Sequence, residues 1–312
     1  MTREVMKHDL DLFFFPAVYT YFPIVNRTKL IVTIHDLIAD HHPELVFPHR
    51  KFKLFWKLKQ NLAVRQAHSI LTVSEYSKRQ IVEYFAIPES RVRVIPEAAS
   101  AAFDAHPRTE DVAQTLHRYH LDPRARFLLY VGGVSSHRNL KALVDAHHRL
   151  IADSMYSDVK MVLVGDYEGD PYSFSSDYYS LKAEIERLRL GDKVILTGFI
   201  EDRALAHLYA AASLLVIPSL EEGFGLPAVE AMTCGTPVIS SDRGSLPEIM
   251  GDAGRYFDPH RPETMLKLFK DLLSSGALRA EMTRCGRARA EQFTWERSAT
   301  TFMSIIRDVV EG

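Results

Sequence analysis

Residues 218–249 have the sequence PSLEEGFGLPAVEAMTCGTPVISSDRGSLPEI. This pattern predicts a buried strand, a glycine-rich turn, a helix and a second strand, which is the order of a parallel βαβ unit. Gly223 and Gly225 have no side chains, so backbone N–H groups at the start of the helix can approach a ligand closely. Glu222 and Glu230 flank the turn, and the Glu230 carboxylate can accept two hydrogen bonds from vicinal hydroxyls. We therefore expect a site for a polyhydroxylated or anionic ligand at this turn.

The same turn is open to two other interpretations. Gly223-x-Gly225-x-x-Ala228 follows a strand and opens a helix, and Asp242 ends the next predicted strand. This arrangement imitates a dinucleotide-binding fingerprint, which would make the protein a nicotinamide-dependent oxidoreductase. Alternatively, the turn is a tight strand-to-helix connection with two solvent-facing glutamates and no ligand.

Short apolar runs alternate with amphipathic helical stretches along almost the whole chain. Strands are predicted at 12–15, 30–34, 70–74 and 92–95, and then at 127–131, 160–165, 193–198, 213–219 and 236–241. Because these strands are nearly continuous in Val, Ile and Leu and helices separate them, we expect parallel sheets covered on both faces. The small, irregular segment 96–108 predicts a boundary between two Rossmann-like domains, 1–107 and 108–295. A last amphipathic helix, 296–312, must bury its apolar stripe against one of them.

Composition excludes several classes of protein. The formal net charge of −2 argues against a general nucleic-acid binder. Cys234 and Cys285 cannot make a disulfide framework in a chain of 312 residues. The N-terminal residues do not resemble a signal peptide, and the most apolar stretch, 12–25, is too short and contains two prolines. We expect a cytoplasmic protein.

Several segments together resemble glycosyltransferase family 4. In that family, a glutamate, seven residues and a second glutamate frame a GFG turn, and Glu222 and Glu230 have this register. Residues 231–259 also match the family closely. Further matches are VTIHDL (32–37), TVSEYSKRQIV (72–82), RVRVIP (91–96), YVGGVSSHRNL (130–140), LTGFIED (196–202) and FTWERSA (293–299). Because these motifs are collinear and cover nearly the whole chain, together they are far more specific than the glycine pattern.

The resemblance implies an α/β fold of the GT-B type, with two Rossmann-like parallel-sheet domains facing a cleft and the last helix crossing back to the first domain. It implies a hexosyltransferase that uses a nucleotide-diphospho-sugar and retains the anomeric configuration. We expect a mannose- or glucose-type donor, with GDP-mannose preferred and UDP-glucose next, and a glycan or lipid-linked acceptor. The alternatives are a non-catalytic or partner-dependent subunit and the oxidoreductase.

The resemblance also implies roles for individual residues. Glu230 would bind the ribose hydroxyls, and Glu222 would contact the donor sugar near the reacting carbon. His35 would face the sugar and phosphates from the first domain, and Arg138 would place a cation beside the leaving diphosphate. The remaining donor-binding residues are Gly132, Gly133, Phe199, Ile200, Gly223, Phe224, Gly225 and Leu226. Many family members carry a basic residue at the position of Gly133, so this chain has one fixed cation fewer unless His137 contributes one.

No metal or cofactor is expected, because GT-B enzymes generally need no catalytic metal. His35, Asp36, His41 and His42 are close in sequence, but their spacing fits no helical pair of metal ligands. The Asp9-Leu-Asp11 segment precedes the first strand and predicts a solvated turn.

The helix predicted at 50–65 has an unusual charge pattern: it contains six basic residues, and no acidic residue occurs from 48 to 74. The predicted core stripe consists of Leu54, Phe55, Leu58 and Leu62. The basic stripe beside it consists of Arg50, Lys53 and Lys57. Phe52 and Trp56 lie off the core stripe, and an exposed aromatic pair beside cations suggests peripheral contact with anionic lipid or a lipid-linked acceptor at the inner membrane face. The alternative is a solvated helix whose aromatic rings pack on a neighbouring element.

The first domain departs from the family pattern, because the beginning of the usual domain has no counterpart here. About four strands remain before the boundary. A natural short form, a truncated start and completion by another chain are the possible explanations. An incomplete sheet exposes an edge, and an exposed edge favours self-association into a homo-oligomer. Charge is also asymmetric, since residues 1–107 carry 14 basic and 11 acidic residues and the rest carries 24 and 29.

Overall fold

The computed structural model describes residues 1–47, 50–103, 107–167 and 177–312, and describes no side chains at 45, 46 and 50. The chain divides into two compact units. Unit 1 comprises Met1–Glu97 with Thr294–Gly312, and unit 2 comprises Ala98–Phe293. The division lies inside the predicted boundary segment 96–108, of which residues 104–106 lie outside the described residues.

The first part of unit 1 forms a parallel sheet of four strands, as expected. The strands are β1 (Leu12–Phe15), β2 (Lys29–Thr33), β3 (Ser69–Thr72) and β4 (Val92–Val94), and they lie side by side in chain order. The helices of this part are α1 (Thr2–Val5), α2 (Ile38–His41), α3 (Pro43–Val46), α4 (Arg50–Gln66) and α5 (Glu75–Phe85). Asp9 and Asp11 are exposed before β1, as predicted for a solvated turn.

Unit 2 is a parallel sheet of six strands with helices between them. The strands are β5 (Phe127–Val131), β6 (Lys160–Val164), β7 (Val194–Leu196), β8 (Leu214–Ile217), β9 (Val238–Ser241) and β10 (Arg255–Phe257). The helices are α6 (Thr109–Arg118), α7 (Leu140–Ile151), α8 (Tyr178–Arg187), α9 (Asp202–Ala211), α10 (Leu226–Cys234), α11 (Leu246–Met250), α12 (Pro262–Ser274) and α13 (Gly276–Ala290). Every residue of β8 and β9 is buried, because both faces of the sheet are covered.

The strand order of unit 2 reverses between β5 and β8. The order across the sheet is β10-β9-β8-β5-β6-β7, so the chain adds β6 and β7 on one side of β5 and then β8, β9 and β10 on the other. In open parallel sheets, ligands bind beyond the carboxyl ends of the strands at such a reversal. The loops that follow β5 and β8 are therefore where a site is expected.

The last helix, α14 (Trp295–Glu311), returns to unit 1. Its Ile305 is buried against Ile31 of β2 and Leu71 of β3, and this contact forms a small apolar core on one face of the sheet. The Ser298 hydroxyl also donates to the carbonyl of Pro96 at 2.6 Å. On the other face, the apolar residues of the strands pack on α4 and α5.

The prediction for α4 was wrong about which residues face the core. Leu54, Phe55 and Leu58 of the predicted core stripe have exposed fractions of 72%, 67% and 65%. Leu62 is partly buried against the core, and Phe52 is 57% exposed. We call Leu54, Phe55 and Leu58 the α4 outer patch. Leu54 and Leu58 are one turn apart and Phe55 lies beside them, so they share one face of the helix.

The opposite face of α4 makes the packing contacts. Ala63 and Val64 are buried in the core of unit 1, and their small size lets the helix lie close to the sheet. Trp56 is half-buried: its indole N–H donates to Asp40 Oδ2 at 3.1 Å, and its ring centroid is 4.9 Å from that of Tyr19. The helix is therefore apolar on both faces, and the periodicity alone did not show which of them packs. Within the described residues, no helix is both long enough and apolar enough to cross a membrane.

Candidate functional site

The site of unit 2 is built by the two loops at the reversal of strand order. The loop after β5 contains a short 3-10 turn, Ser136–Arg138, and the chain then enters α7. The loop after β8 contains the residues 222–225, which we call the glycine-rich turn, and the chain then enters α10. Because β5 and β8 are neighbours in the sheet, these loops start from adjacent strand ends.

Glu222 and Arg138 form an ion pair that joins the two loops. The Glu222 side chain is 8% exposed and the Arg138 side chain 27% exposed. The same Glu222 oxygen accepts a hydrogen bond from the hydroxyl of Ser219, which is itself buried, at 2.8 Å. A buried carboxylate needs a partner of opposite charge and further hydrogen bonds, and Arg138 and Ser219 supply both.

The backbone of the glycine-rich turn is held by the loop after β9. Ser245 donates its backbone N–H at 3.0 Å and its hydroxyl at 3.1 Å to the carbonyl of Glu222, and its hydroxyl also lies 2.9 Å from the carbonyl of Phe224. Gly244 has φ +64°, and a Cβ there would lie 2.5 Å from the backbone N and O of Glu222. Only glycine fits this approach without a shift, so Gly244 and Ser245 determine the position of Glu222.

The glycine-rich turn ends at the N-terminus of α10. Gly225, the residue before the helix, has φ +94°, and a Cβ there would lie 2.7 Å from the side chain of Leu246. Gly225 has no side chain with which to cap the first N–H groups of the helix, and these groups carry the positive end of the helix dipole. Phe224 is buried, and its ring meets that of Phe293 edge-on at 5.7 Å, so only its backbone can serve a ligand.

Glu230 lies about one turn into α10 and is partly exposed. Its Oε2 accepts a hydrogen bond from the hydroxyl of Tyr209 at 2.9 Å. Tyr209 is completely buried, and burial, with the nearby negative charge of Glu230, raises the pKa of Tyr209 well above its usual value. Tyr209 is therefore a fixed donor that orients the Glu230 carboxylate.

The loop after β5 begins with two glycines, of which Gly132 lies in a confined space and Gly133 is exposed. The hydroxyl of Tyr130 donates to the carbonyl of Gly133 at 2.8 Å. A Cβ at Gly132, whose φ is +148°, would lie 2.8 Å from that hydroxyl, and a Cβ at Gly165 would lie 2.0 Å from the carbonyl oxygen of Gly132. The loops after β5 and β6 thus touch backbone to backbone.

Phe199 and Ile200 follow β7 on the side of β6 away from β5. The Phe199 side chain is 76% exposed, whereas the Ile200 side chain is buried. Ile200 can therefore contact a ligand only through its backbone.

His35 belongs to unit 1, where it follows β2. It lines a largely apolar cavity of about 400 Å³ together with Glu97 and residues of α14 such as Trp295 and Phe302. Burial lowers the pKa of His35 and outweighs the opposing effect of Asp36, so the imidazole is neutral near pH 7. Burial, with Asp36, raises the pKa of Glu97.

Eleven of the twelve predicted residues lie in unit 2, and His35 lies in unit 1. Within unit 2, Arg138 contacts Glu222, and the glycine-rich turn leads directly into the helix that carries Glu230. Ser219, Tyr209 and Ser245, which position the two glutamates, were not predicted. Ser219 is three residues from Glu222 and could have been found as a buried hydroxyl in a polar stretch, whereas the other two carry no local signal. The described residues contain no group of three or more His, Cys, Asp or Glu side chains placed to hold a metal ion.

Comparison with known proteins gives a consistent result. The family described as Glycosyl transferases group 1 matches residues 114–289, and Glycosyltransferase Family 4 matches residues 1–102. The O-antigen chain mannosyltransferase B of Escherichia coli is 32% identical over 274 residues, which are 87% of this chain and 68% of that protein. The serotype-specific mannosyltransferase WbdA of Escherichia coli is 29% identical over 280 residues. That match spans 87% of this chain and 32% of WbdA.

Solved structures show the same architecture. The sucrose-phosphate synthase of Thermosynechococcus elongatus superposes with a TM-score of 0.78 at 22% identity. The superposition covers 98% of this chain and 75% of the synthase. At this level of identity, the likeness concerns the fold alone.

Proposed function

The chain belongs to glycosyltransferase family 4 and has the GT-B fold, and on this premise we propose that it is a hexosyltransferase that uses a nucleotide-diphospho-sugar. We further propose that it transfers a mannosyl residue, with retention of anomeric configuration, to a glycan or lipid-linked acceptor. Mannose is preferred to glucose because two similar proteins are mannosyltransferases. The observation that carries the proposal is the paired Glu222 and Arg138 beside the N-terminus of α10, at the reversal of strand order.

This arrangement suits the charges that develop during glycosyl transfer. Breaking the bond between sugar and phosphate leaves negative charge on the diphosphate and positive charge on the anomeric carbon. The N-terminus of α10 and the guanidinium of Arg138 would stabilise the diphosphate, and the Glu222 carboxylate would face the carbon. A carboxylate and a guanidinium held side by side before the reaction need little rearrangement when these opposite charges separate.

The other residues would bind and orient the donor. Glu230, held by Tyr209, would accept hydrogen bonds from the two ribose hydroxyls, and a carboxylate can accept both at once. The backbone of Ile200 and the exposed Phe199 would contact the base. His35 is neutral near pH 7 and would donate a hydrogen bond to the sugar or the phosphates without adding charge.

We propose that no metal takes part, because the cation at the diphosphate would be Arg138. Activity should then persist in excess EDTA. Complete loss that Mg²⁺ or Mn²⁺ restores would show that a metal neutralises the leaving group instead.

The function is tested by donor binding and turnover. Calorimetric titration with GDP-mannose, UDP-glucose and NADH should show binding of GDP-mannose, and nucleotide release should follow in the presence of an acceptor glycan. Glu230→Gln should weaken donor binding by about 1–3 kcal/mol, and Glu222→Gln should mainly lower turnover. The matched control is Glu281→Gln, which changes an exposed glutamate on α13, outside the proposed site, and should alter neither.

Three outcomes would contradict the proposal. Binding of NADH without any nucleotide-sugar would support the oxidoreductase interpretation. Binding of GDP-mannose without turnover, with or without an acceptor, would indicate a non-catalytic or partner-dependent subunit. If Glu230→Gln binds the donor like the parent protein, the ribose assignment is wrong.

A further inference from the structure

The α4 outer patch is the most exposed group of large apolar side chains on a single helix in the described part of the chain. Leu54, Phe55 and Leu58 each expose about two-thirds of their surface. Single exposed apolar residues are common on protein surfaces, but a contiguous group on one helix face indicates a binding surface. Phe52, at 57% exposure, extends this surface toward the start of the helix.

The charged side chains of α4 are all basic. The 17 residues of α4 contain six basic and no acidic side chains. Lys51, Lys57 and Arg65 are exposed, and within the part of the chain that the structure describes none of them makes an ion pair. Of the predicted basic stripe, Lys53 is partly exposed, and the side chain of Arg50 lies outside the described residues.

Unit 1 as a whole is positive. It has 16 basic and 13 acidic residues, whereas unit 2 has 22 basic and 27 acidic ones. An anionic surface would therefore attract unit 1 in preference to unit 2.

We propose that α4 docks unit 1 on the surface of an anionic lipid bilayer. The helix would lie in the plane of the interface with Leu54, Phe55 and Leu58 at the boundary between headgroups and acyl chains. Lys51, Lys57 and Arg65 would contact anionic headgroups. An amphipathic helix with an apolar outer face and basic flanks has the features of such interfacial helices.

The charge pattern favours a bilayer over a second copy of this chain. Two copies joined through their outer patches would bring two basic helices together, neither of which carries an acidic side chain, and like charges disfavour that contact. An anionic bilayer neutralises the same cations while it receives the apolar side chains. The prediction of membrane contact from the sequence relied on Phe52 and Trp56, but Trp56 packs inward, so Leu54, Phe55 and Leu58 replace it here.

The test is co-sedimentation of the full chain with vesicles. One set contains phosphatidylcholine and phosphatidylglycerol, and a second set contains phosphatidylcholine alone. The parent protein should pellet with the first set at low salt and should pellet less as the salt concentration rises. The reason is that the Debye screening length falls to about 3 Å at 1 M salt. The apolar variant is Leu54→Ser/Phe55→Ser/Leu58→Ser, and the charge variant is Lys51→Ala/Lys57→Ala/Arg65→Ala.

The apolar variant should bind at least about tenfold more weakly, because moving each of these large apolar side chains from water into the bilayer interface contributes to the binding free energy. The charge variant should lose about fivefold for each cation removed. The matched controls are Tyr179→Ser and Lys182→Ala on α8, which also change exposed side chains and should bind like the parent. Because all the changed residues are exposed, circular dichroism should show unchanged folding.

Three results would overturn the proposal. The first is failure of the parent to pellet at low salt, and the second is equal pelleting of parent and patch variants. The third is a dimer in analytical ultracentrifugation without lipid that the apolar variant abolishes, which would make the patch a self-association surface. None of these results depends on the donor or on activity, so each is separate from failure of the proposed enzymatic function.

Discussion

Replacing Arg138 with alanine should destabilise unit 2, because it removes the cation that compensates the buried charge of Glu222. Loss of one partner of a fully buried ion pair costs about 3–5 kcal/mol. Here Ser219 still donates to Glu222 at 2.8 Å, and Arg138 is 27% exposed, so water reaches part of the site. We therefore expect about 2–3 kcal/mol, or roughly 4–12 °C in the unfolding temperature of a domain of this size, measured by scanning calorimetry.

Two further variants decide whether this reasoning is correct. Arg149→Ala removes a cation from a more accessible pair with Asp145 at 2.8 Å, in which the side chains are 54% and 31% exposed, and it should cost less than about 1 kcal/mol. Arg138→Ala/Glu222→Gln leaves no charge uncompensated and should recover most of the loss. If Arg138→Ala is no more destabilising than Arg149→Ala, or if the double variant is as unstable as the sum of its single changes, the pair does not compensate a buried charge.

Three other predictions concern residues that support the site or the core of unit 2. Tyr209→Phe should weaken nucleotide-sugar binding ten- to a hundredfold, because a hydrogen bond to a charged group contributes about 1.5–3 kcal/mol. Calorimetry measures this change, and an unchanged Kd would mean that Tyr209 does not orient Glu230. Gly244→Ala should lower the unfolding temperature, because its Cβ would lie only 2.5 Å from the backbone of the glycine-rich turn. Gly191→Ala should not, because nothing lies within 4 Å of a Cβ at that position. Equal melting temperatures of the two variants would show that the turn can shift to make room for the Cβ. Burial lowers the pKa of His147 to about 4, so protonation of this side chain favours the unfolded state. The free energy of unfolding should therefore fall by up to about 3 kcal/mol as pH drops from 6.5 toward 4. In denaturant unfolding, His147→Gln should flatten this pH dependence, and the same pH dependence in variant and parent would refute the prediction.

The strand pattern of this chain was predictable because buried parallel strands are short, continuous apolar runs. Nine strands were expected, and each lies within a few residues of its predicted position. The tenth, β10 (Arg255–Phe257), has only three residues with polar neighbours and forms because β9 offers a free edge beside it. That condition belongs to the assembled sheet and is not visible in the local sequence.

The orientation of α4 could not be predicted for a different reason. Helical periodicity identifies which residues share a face, and Leu54, Phe55 and Leu58 do share one. It does not identify which of two apolar faces packs when both exist. Trp56, Ala63 and Val64 fit the sheet of unit 1 more closely, and this depends on the shape of the surface they meet.

Within the site, residues that act through local geometry were easier to find than those that act through distant partners. Glu222 and Glu230 stand at a spacing that places both around one turn and one helix. Tyr209 is separated from Glu230 by 21 residues, and Ser245 from the backbone of Glu222 by 23. The first contact arises when α9 packs against α10, and the second when the loops after β8 and β9 lie side by side, so no short sequence pattern encodes them.

The return of α14 to unit 1 has a consequence for how this protein is made. Unit 1 is discontinuous in sequence, with the whole of unit 2 inserted between its sheet and the helix that covers one face of that sheet. A ribosome delivers β2 and β3 early, yet Ile31 and Leu71 remain uncovered until Ile305 emerges after unit 2. A nascent unit 1 therefore presents a bare apolar face throughout the synthesis of unit 2, which is the interval in which chaperones or premature association would act on it.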